Sequence, residues 1–158
     1  MLRSLVATED RFAPTLARLT LGIVFFPHGM QKLFGWFGGF GFNGTLLYFT
    51  DQAHIPAAFA VLAILAEGLG SIGLLTGFLT RVAAFGIACN MTVAVFMVHR
   101  YNGFFMNWLG NQKGEGFEFH ILALGLCLFV MIYGGGAWSV DLAISKRQAA
   151  AALEHARA

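Results

Sequence analysis

Charge is what this sequence most lacks. Of 158 residues only 11% are Asp, Glu, Lys or Arg, while 58% are hydrophobic. A water-soluble domain carries about 25% charged residues, so this chain has too little polar surface to coat a globule in water. Ten basic and eight acidic side chains leave a net charge of +2 with no long basic run, which argues against a nucleic-acid partner. Cysteine is nearly missing too. Cys89 and Cys127 each fall inside an apolar run, and no C-x-x-C occurs, which counts against a membrane dithiol-relay enzyme. The two read as small buried hydrophobes, and a redox pair between them has no support. Also lacking are H-E-x-x-H, Glu-x-x-His, a phosphate loop, a dinucleotide fingerprint and a nucleophile elbow. The opening MLRSLVATEDRFAPT lacks the order of a cleaved signal, so the first apolar segment is expected to be retained.

What is abundant suits a bilayer. Seventeen Phe and twenty Gly are membrane-like usage, Gly because it lets helices approach closely. Four apolar segments stand out, at about 16–34, 57–79, 82–98 and 119–133. The expected fold class is all-α, an integral-membrane four-helix bundle over residues 1–142 with a helical or frayed tail, 143–158. Ala13-Pro14-Thr15 is a start signal for the first segment, and Gly134-Gly135-Gly136 a stop after the fourth, with Trp138 at interface level. Only Thr80 and Arg81 separate the second and third spans, so these form an antiparallel hairpin. Arg3, Arg11, Arg18, Arg81, Lys146, Arg147 and Arg157 lie on one side, against Lys32, Arg100 and Lys113 on the other. Seven against three predicts both termini in the cytoplasm, a multi-pass topology and two long loops, 35–56 and 99–117, outside. Those loops are too aromatic for solvated connectors and are expected at the outer interface, as a belt or as a lid over a pocket.

Glu67 is the most informative residue. It sits alone in Ala57–Leu79, where a carboxylate near mid-bilayer costs about 2.5–3.5 kcal/mol on insertion scales. It is either a strut paired with Lys32, Arg100 or a histidine, or a functional carboxylate. His28 and Lys32, four apart, share one face of the first span. His99 and Arg100 end the third span, and Glu118 and His120 open the fourth. All of these lie in the expected outer half, while the inner half offers only Arg18, near the interface. Each has a plainer reading: snorkelling for Lys32 and Arg100, dipole caps for His99 and Glu118, relief of the Pro27 kink for His28. Three histidines and two carboxylates suit zinc or iron in kind. Glu118 and His120, though, stand two apart, about 200° around a helix, and cannot face one centre. No metal site is expected, nor a haem. Gly22 and Gly29 form one small-residue stripe, Ala66, Gly70, Gly73 and Gly77 another, with G-x-x-x-G at Gly73–Gly77.

Several of these segments resemble the DoxX family of small bacterial membrane proteins. They are Arg18-Leu19 with Gly22, HGMQKLFG (His28–Gly35), EGLGSIGLLTGFLTR (Glu67–Arg81), HRYNGFF (His99–Phe105), the Glu118 segment and YGGGAWSVD (Tyr133–Asp141). The resemblance spans about residues 14–142 and implies a four-helix bundle in the bacterial cytoplasmic (inner) membrane. Glu67 and Glu118 match the family's usual membrane carboxylates, and Arg18 and Lys32 its basic positions. Some relatives are associated with thiosulfate:quinone oxidoreductase or with thiol and oxidative-stress proteins, which implies a membrane subunit of a redox system. The expected ligand is a quinone or similar small apolar molecule in the outer half. Glu67, His28 and His120 would exchange protons with it; Lys32, His99, Arg100, Glu118, Trp36 and Trp108 would contact it. The alternative is a non-enzymatic scaffold that recruits soluble redox or stress proteins. A small transporter is disfavoured by the nearly uncharged inner half. Expected partners are the lipid bilayer, redox proteins and a second copy of the chain.

Overall fold

The structure is a computed structural model that describes residues 2–157. Met1 and Ala158, which close the two expected segments, lie outside the described residues, as do the side chains of Arg3 and Arg157 counted towards orientation. Among the described residues there are helices and no strand. They are α1 (Leu2–Val6), α2 (Phe12–Phe34), α3 (Gly41–Leu47), α4 (Ala57–Thr76), α5 (Thr80–Met97), α6 (Glu118–Tyr133) and α7 (Val140–Arg157). A 3₁₀ turn (Trp36–Gly38) and a π turn (Tyr48–Gln52) flank α3, and a second 3₁₀ turn (His99–Asn102) follows α5.

The four apolar segments become α2, α4, α5 and α6, with boundaries within a few residues of those expected. α2 packs on α4 and α6, and α5 packs on α4 and α6, so the four enclose one core. Leu21, Phe25, Leu74, Ile87, Cys127 and Val130 meet there, each 2% exposed or less. Outside, Leu62, Leu69, Phe85, Phe96, Leu122, Leu128 and Ile132 each stand more than half exposed. A surface this apolar is unsuited to water and suited to lipid. α4 and α5 are both long and apolar enough to cross a bilayer. α2 has the length, 23 residues, but carries Arg18, His28 and Lys32; α6 is apolar and only 16 residues long.

Glycine decides how closely α2 and α4 approach. A Cβ added at Gly29 would stand 2.7 Å from the Glu67 carbonyl oxygen and the Gly68 Cα, and one at Gly22 would stand 2.9 Å from Leu75. The Gly22–Gly29 stripe is therefore internal. The second stripe is not a single surface. Gly70 and Gly73 face α5 near Ala83, whereas Gly77 adopts φ 74° and ends α4. The G-x-x-x-G expected at Gly73–Gly77 is thus corrected to a packing glycine followed by a helix stop. Gly29→Ala is expected to destabilise the protein by about 1–3 kcal/mol in thermal unfolding, because backbone cannot move aside. Gly125→Ala, where a Cβ meets nothing within 4 Å, serves as the neutral control.

The α4–α5 turn, the end of α6 and the start of α7 meet at one end of the bundle, here the turn end. Arg18, expected near an interface, is instead 1% exposed. Its guanidinium donates to five carbonyl oxygens: Leu74 and Gly135 at 2.8 Å, Leu75 and Trp138 at 2.9 Å, and Ala137 at 3.3 Å. Asp141, also 1% exposed, accepts from the Leu79 and Thr80 amides at 2.9 Å and the Thr80 hydroxyl at 2.7 Å. Gly136, at φ 71°, brings the chain so near α2 that a Cβ would lie 2.6 Å from the Arg11 carbonyl oxygen. Arg81 donates to the carbonyls of Met131, Ile132 and Ala7, tying α6 and the segment after α1 to α5. α7 follows as the expected tail helix, with Ser139 as its cap: the Ser139 hydroxyl accepts from the Leu142 amide at 3.1 Å.

Candidate functional site

At the opposite, loop end, the helices line a partly open cavity of about 800 Å³, within the usual range for small-molecule sites. Its wall is mostly apolar, from Phe25, Phe59, Phe85, Met91, Val93 and Phe119 among others, with few polar groups. His28 and Lys32 come from α2, Glu67 from α4, Asn90 from α5, His99 from the turn after α5, and His120 from α6. Residues far apart in sequence meet because α2 and α5 end at this side while α4 and α6 begin there.

Lys32 and Glu67 form an ion pair of 2.8 Å, with the Lys32 side chain 25% exposed and that of Glu67 6%. The close approach at Gly29 brings α2 near enough to α4 for the two to meet. Lys32 also lies 3.5 Å from the His28 carbonyl oxygen. Of the partners open to Glu67 in the sequence, the structure selects Lys32. Such a pair in an apolar wall offers a negative and a positive group side by side.

The histidines form a second station. The rings of His99 and His120 lie 4.0 Å apart between centroids, inclined by 42°. His99 Nδ1 is 2.8 Å from the Glu115 carbonyl oxygen. A carbonyl only accepts, so Nδ1 carries the hydrogen, and Nε2 of the neutral ring is left as an acceptor. His120 is 5% exposed, and its Nδ1 is buried without a hydrogen-bond partner among the described residues. A buried ring nitrogen with nothing to bond is costly, by about 1–3 kcal/mol, and marks a place where a ligand or water group fits. His28 completes the polar set, 6.5 Å from the Phe25 ring by centroids.

Other residues expected to contact a ligand stand elsewhere. Glu118 and His120 point apart, as their spacing of two implies: Glu118 accepts from the Met106 amide at 2.9 Å and anchors the loop. Arg100 turns outward, its guanidinium 4.6 Å from the Tyr101 ring centroid and 5.9 Å from that of Phe96. Trp36 packs on Phe34 at 5.5 Å, and Trp108 is 84% exposed; neither lines the cavity. The two loops do reach the cavity, but through Tyr48, Phe49, Ile55, Met106 and Glu115. Aromatic content alone could not tell which ring turns inward, since that depends on the π turn and the fold of the loop.

Asn90 lies outside the set that the sequence reading singles out, although a lone amide within an apolar span is the same signal that marks Glu67. Its Nδ2 donates to the Ala63 carbonyl at 2.8 Å, bridging α5 to α4 across the cavity floor. Cys127 is buried, as expected, but Cys89 lines the cavity and is exposed, which corrects its reading as a buried hydrophobe. No group of three or more metal-ligating side chains occurs among the described residues.

The DoxX family model matches residues 13–100, which cover α2 to α5 and hence Lys32, Glu67 and His99; His120 lies beyond it. The chain is also similar to the inner membrane protein YqjF of Escherichia coli (strain K12). They are 28% identical over 132 residues, 84% of this chain and 92% of that protein. No solved structure matches. With more than half of its length matched, and with an all-helical, apolar-surfaced fold, the chain belongs to the DoxX family of membrane proteins.

Proposed function

We propose that the protein is a membrane subunit of a redox system that binds a quinone or similar small apolar ligand in the cavity at its loop end. The observation that carries this reading is the convergence of the Lys32–Glu67 pair, His28, His99 and an unpartnered His120 nitrogen in one largely apolar cavity. Reducing a quinone to its hydroquinone takes two electrons and two protons. The electrons come from a reduced partner protein, and the chain's part is to hold the head group and move the protons. Carboxylates and imidazoles do this near neutral pH where water is scarce. Glu67, His28 and His120 are the proton-exchanging groups; Lys32 and His99 orient the head group. The site is on the outer side of a bacterial inner membrane, with both termini cytoplasmic, which reporter fusions at the two ends and at residue 110 test.

Native mass spectrometry of protein purified in lipid nanodiscs is the direct test. Wild type is expected to retain a quinone, or to rebind it when added back, and Glu67→Gln to bind at least tenfold more weakly. A wild type that neither retains nor rebinds quinone overturns the reading. A scaffold role is the second reading, supported by the exposed outer part of α7. It is favoured instead if truncation from Ser145 abolishes recruitment of partner proteins while Glu67→Gln leaves it intact.

A further inference from the structure

The cavity does not end at its polar groups. Beside them it widens into a groove over the seam between α4 and α5. Its floor is made of small residues, Ala63, Ala66 and Gly86, with Asn90. A Cβ at Gly86 would stand 3.0 Å from that of Ala66, so the helices touch along the floor, and the Asn90–Ala63 hydrogen bond holds them there. Its rims are larger: Phe59 and Leu62 on α4, Phe85 and Val93 on α5, between 48% and 64% exposed. Phe85, Cys89 and Val93 are four residues apart, so they form one stripe along α5. The groove is therefore bordered by exposed apolar side chains, on a face that a surrounding bilayer would meet.

We infer that this groove seats the apolar tail of the ligand, and that the ligand enters sideways from the lipid, tail and head together. The inference rests on the quinone reading and adds to it the class of quinone: one with a long alkyl or isoprenoid chain. Volume supports it. An apolar cavity of about 150 Å³ holds a benzene-sized ring, so a cavity of about 800 Å³ leaves most of its space for something other than a head group. Continuity supports it as well, because the cavity that holds the polar stations is lined beside them on α4 and α5 by apolar side chains, with Asn90 and Cys89 the exceptions. A tail moving from lipid into such a groove stays in apolar surroundings, so the hydrophobic effect nearly cancels. What the groove does is steric: it lets the head reach Glu67 and His120 without folding the tail back on itself.

Cys89 provides the test, being exposed on the groove wall, while Cys127 is buried and inert to alkylation. In nanodiscs, the rate of Cys89 alkylation by a membrane-permeant maleimide is measured alone, with a decyl-tailed, fully substituted benzoquinone, and with tetramethylbenzoquinone. The tailed quinone is expected to slow alkylation at least fivefold and the tailless one less than twofold. Cys89→Trp and Val93→Trp fill the groove from exposed positions. Each is expected to weaken the tailed quinone at least tenfold and the tailless one less than twofold, with Leu128→Trp on α6 as the lipid-facing control. If both quinones bind wild type and the Trp variants weaken both equally or neither, the tail berth is overturned while the head-group site stands. If wild type binds neither, the quinone reading falls and the berth with it. Alkylation that slows with protein-to-lipid ratio in the absence of quinone identifies the occupant as a second copy of the chain, and also overturns the berth.

Discussion

Arg18→Met is expected to yield no folded protein in detergent or nanodiscs. The guanidinium is 1% exposed and donates to the carbonyls of Leu74, Leu75, Gly135, Ala137 and Trp138. These oxygens belong to the end of α4 and to the segment joining α6 to α7, where intrahelical amides run out; the Ala137 oxygen also accepts from the Thr15 hydroxyl at 2.8 Å and keeps that partner. Methionine fills the space but offers no donor. Each buried acceptor left without a partner costs about 1–3 kcal/mol. Even with strong non-additivity the total reaches about 5 kcal/mol, which is the lower bound of a whole domain's stability. Arg18→Lys tests the geometry separately from the charge. An ammonium has three donors on a point charge, where the guanidinium has five in a planar fork, so Lys cannot serve the same carbonyls. An intermediate loss is expected, read as a lowered midpoint in thermal unfolding. Wild-type midpoints for both variants would show that Arg18 does not organise the turn end.

Lys32→Met alone is expected to be more harmful than Lys32→Met together with Glu67→Gln. The single variant leaves a carboxylate, 6% exposed, without its counter-charge at 2.8 Å. Breaking a buried pair costs about 3–5 kcal/mol, whereas replacing both members by neutral groups is often close to neutral. Because Lys32 is a quarter exposed, the lower end applies, about 3 kcal/mol. In a chain of this size that lowers the unfolding midpoint by about 6–12 °C. The double variant is expected to regain most of this difference. Stability and function then separate: if the pair were only a strut, the double variant would bind quinone as wild type does. The proposed role requires a stable double variant that binds at least tenfold more weakly. A double variant no more stable than the single would mean that Lys32 and Glu67 are not energetically coupled.

Much of the candidate site is readable from depth alone. A carboxylate, three histidines and a lysine among apolar residues declare themselves, because each is expensive in lipid and must be put to use. Helix rise places them near one end without any knowledge of packing. Direction around the helix is harder. Spacing correctly separates Glu118 from His120, since both lie on one helix and 100° per residue governs both. It says nothing of Trp36, Trp108 and Arg100, which sit in or beside irregular turns where no period applies. For the same reason the loop residues that do reach the cavity, Tyr48, Phe49 and Met106, carry no sequence signal.

The turn end shows the converse. Gly134-Gly135-Gly136 reads as a helix stop, and it is one, but the segment then doubles back beneath Arg18. Arg18 reads as an interfacial charge because a lone arginine near a helix start usually snorkels. Its burial depends on carbonyls more than fifty residues away, which no local pattern encodes. Asp141 likewise looks like an ordinary first-turn acid of α7 and is in fact the cap of the α4–α5 turn.

By itself, then, the sequence determined the solvent and the elements. Scarce charge and long apolar runs require lipid, and Gly, Pro and run length set four helices within a few residues of their observed ends. Burial energy per residue is a local, additive quantity, which is why it can be read without a fold. The partners were decided only by the tertiary structure: Lys32 for Glu67, His99 for His120, carbonyls for Arg18, and the groove between α4 and α5. Each depends on the distance and rotation between two helices, and those follow from which glycine meets which backbone, a property of pairs of segments and of neither alone.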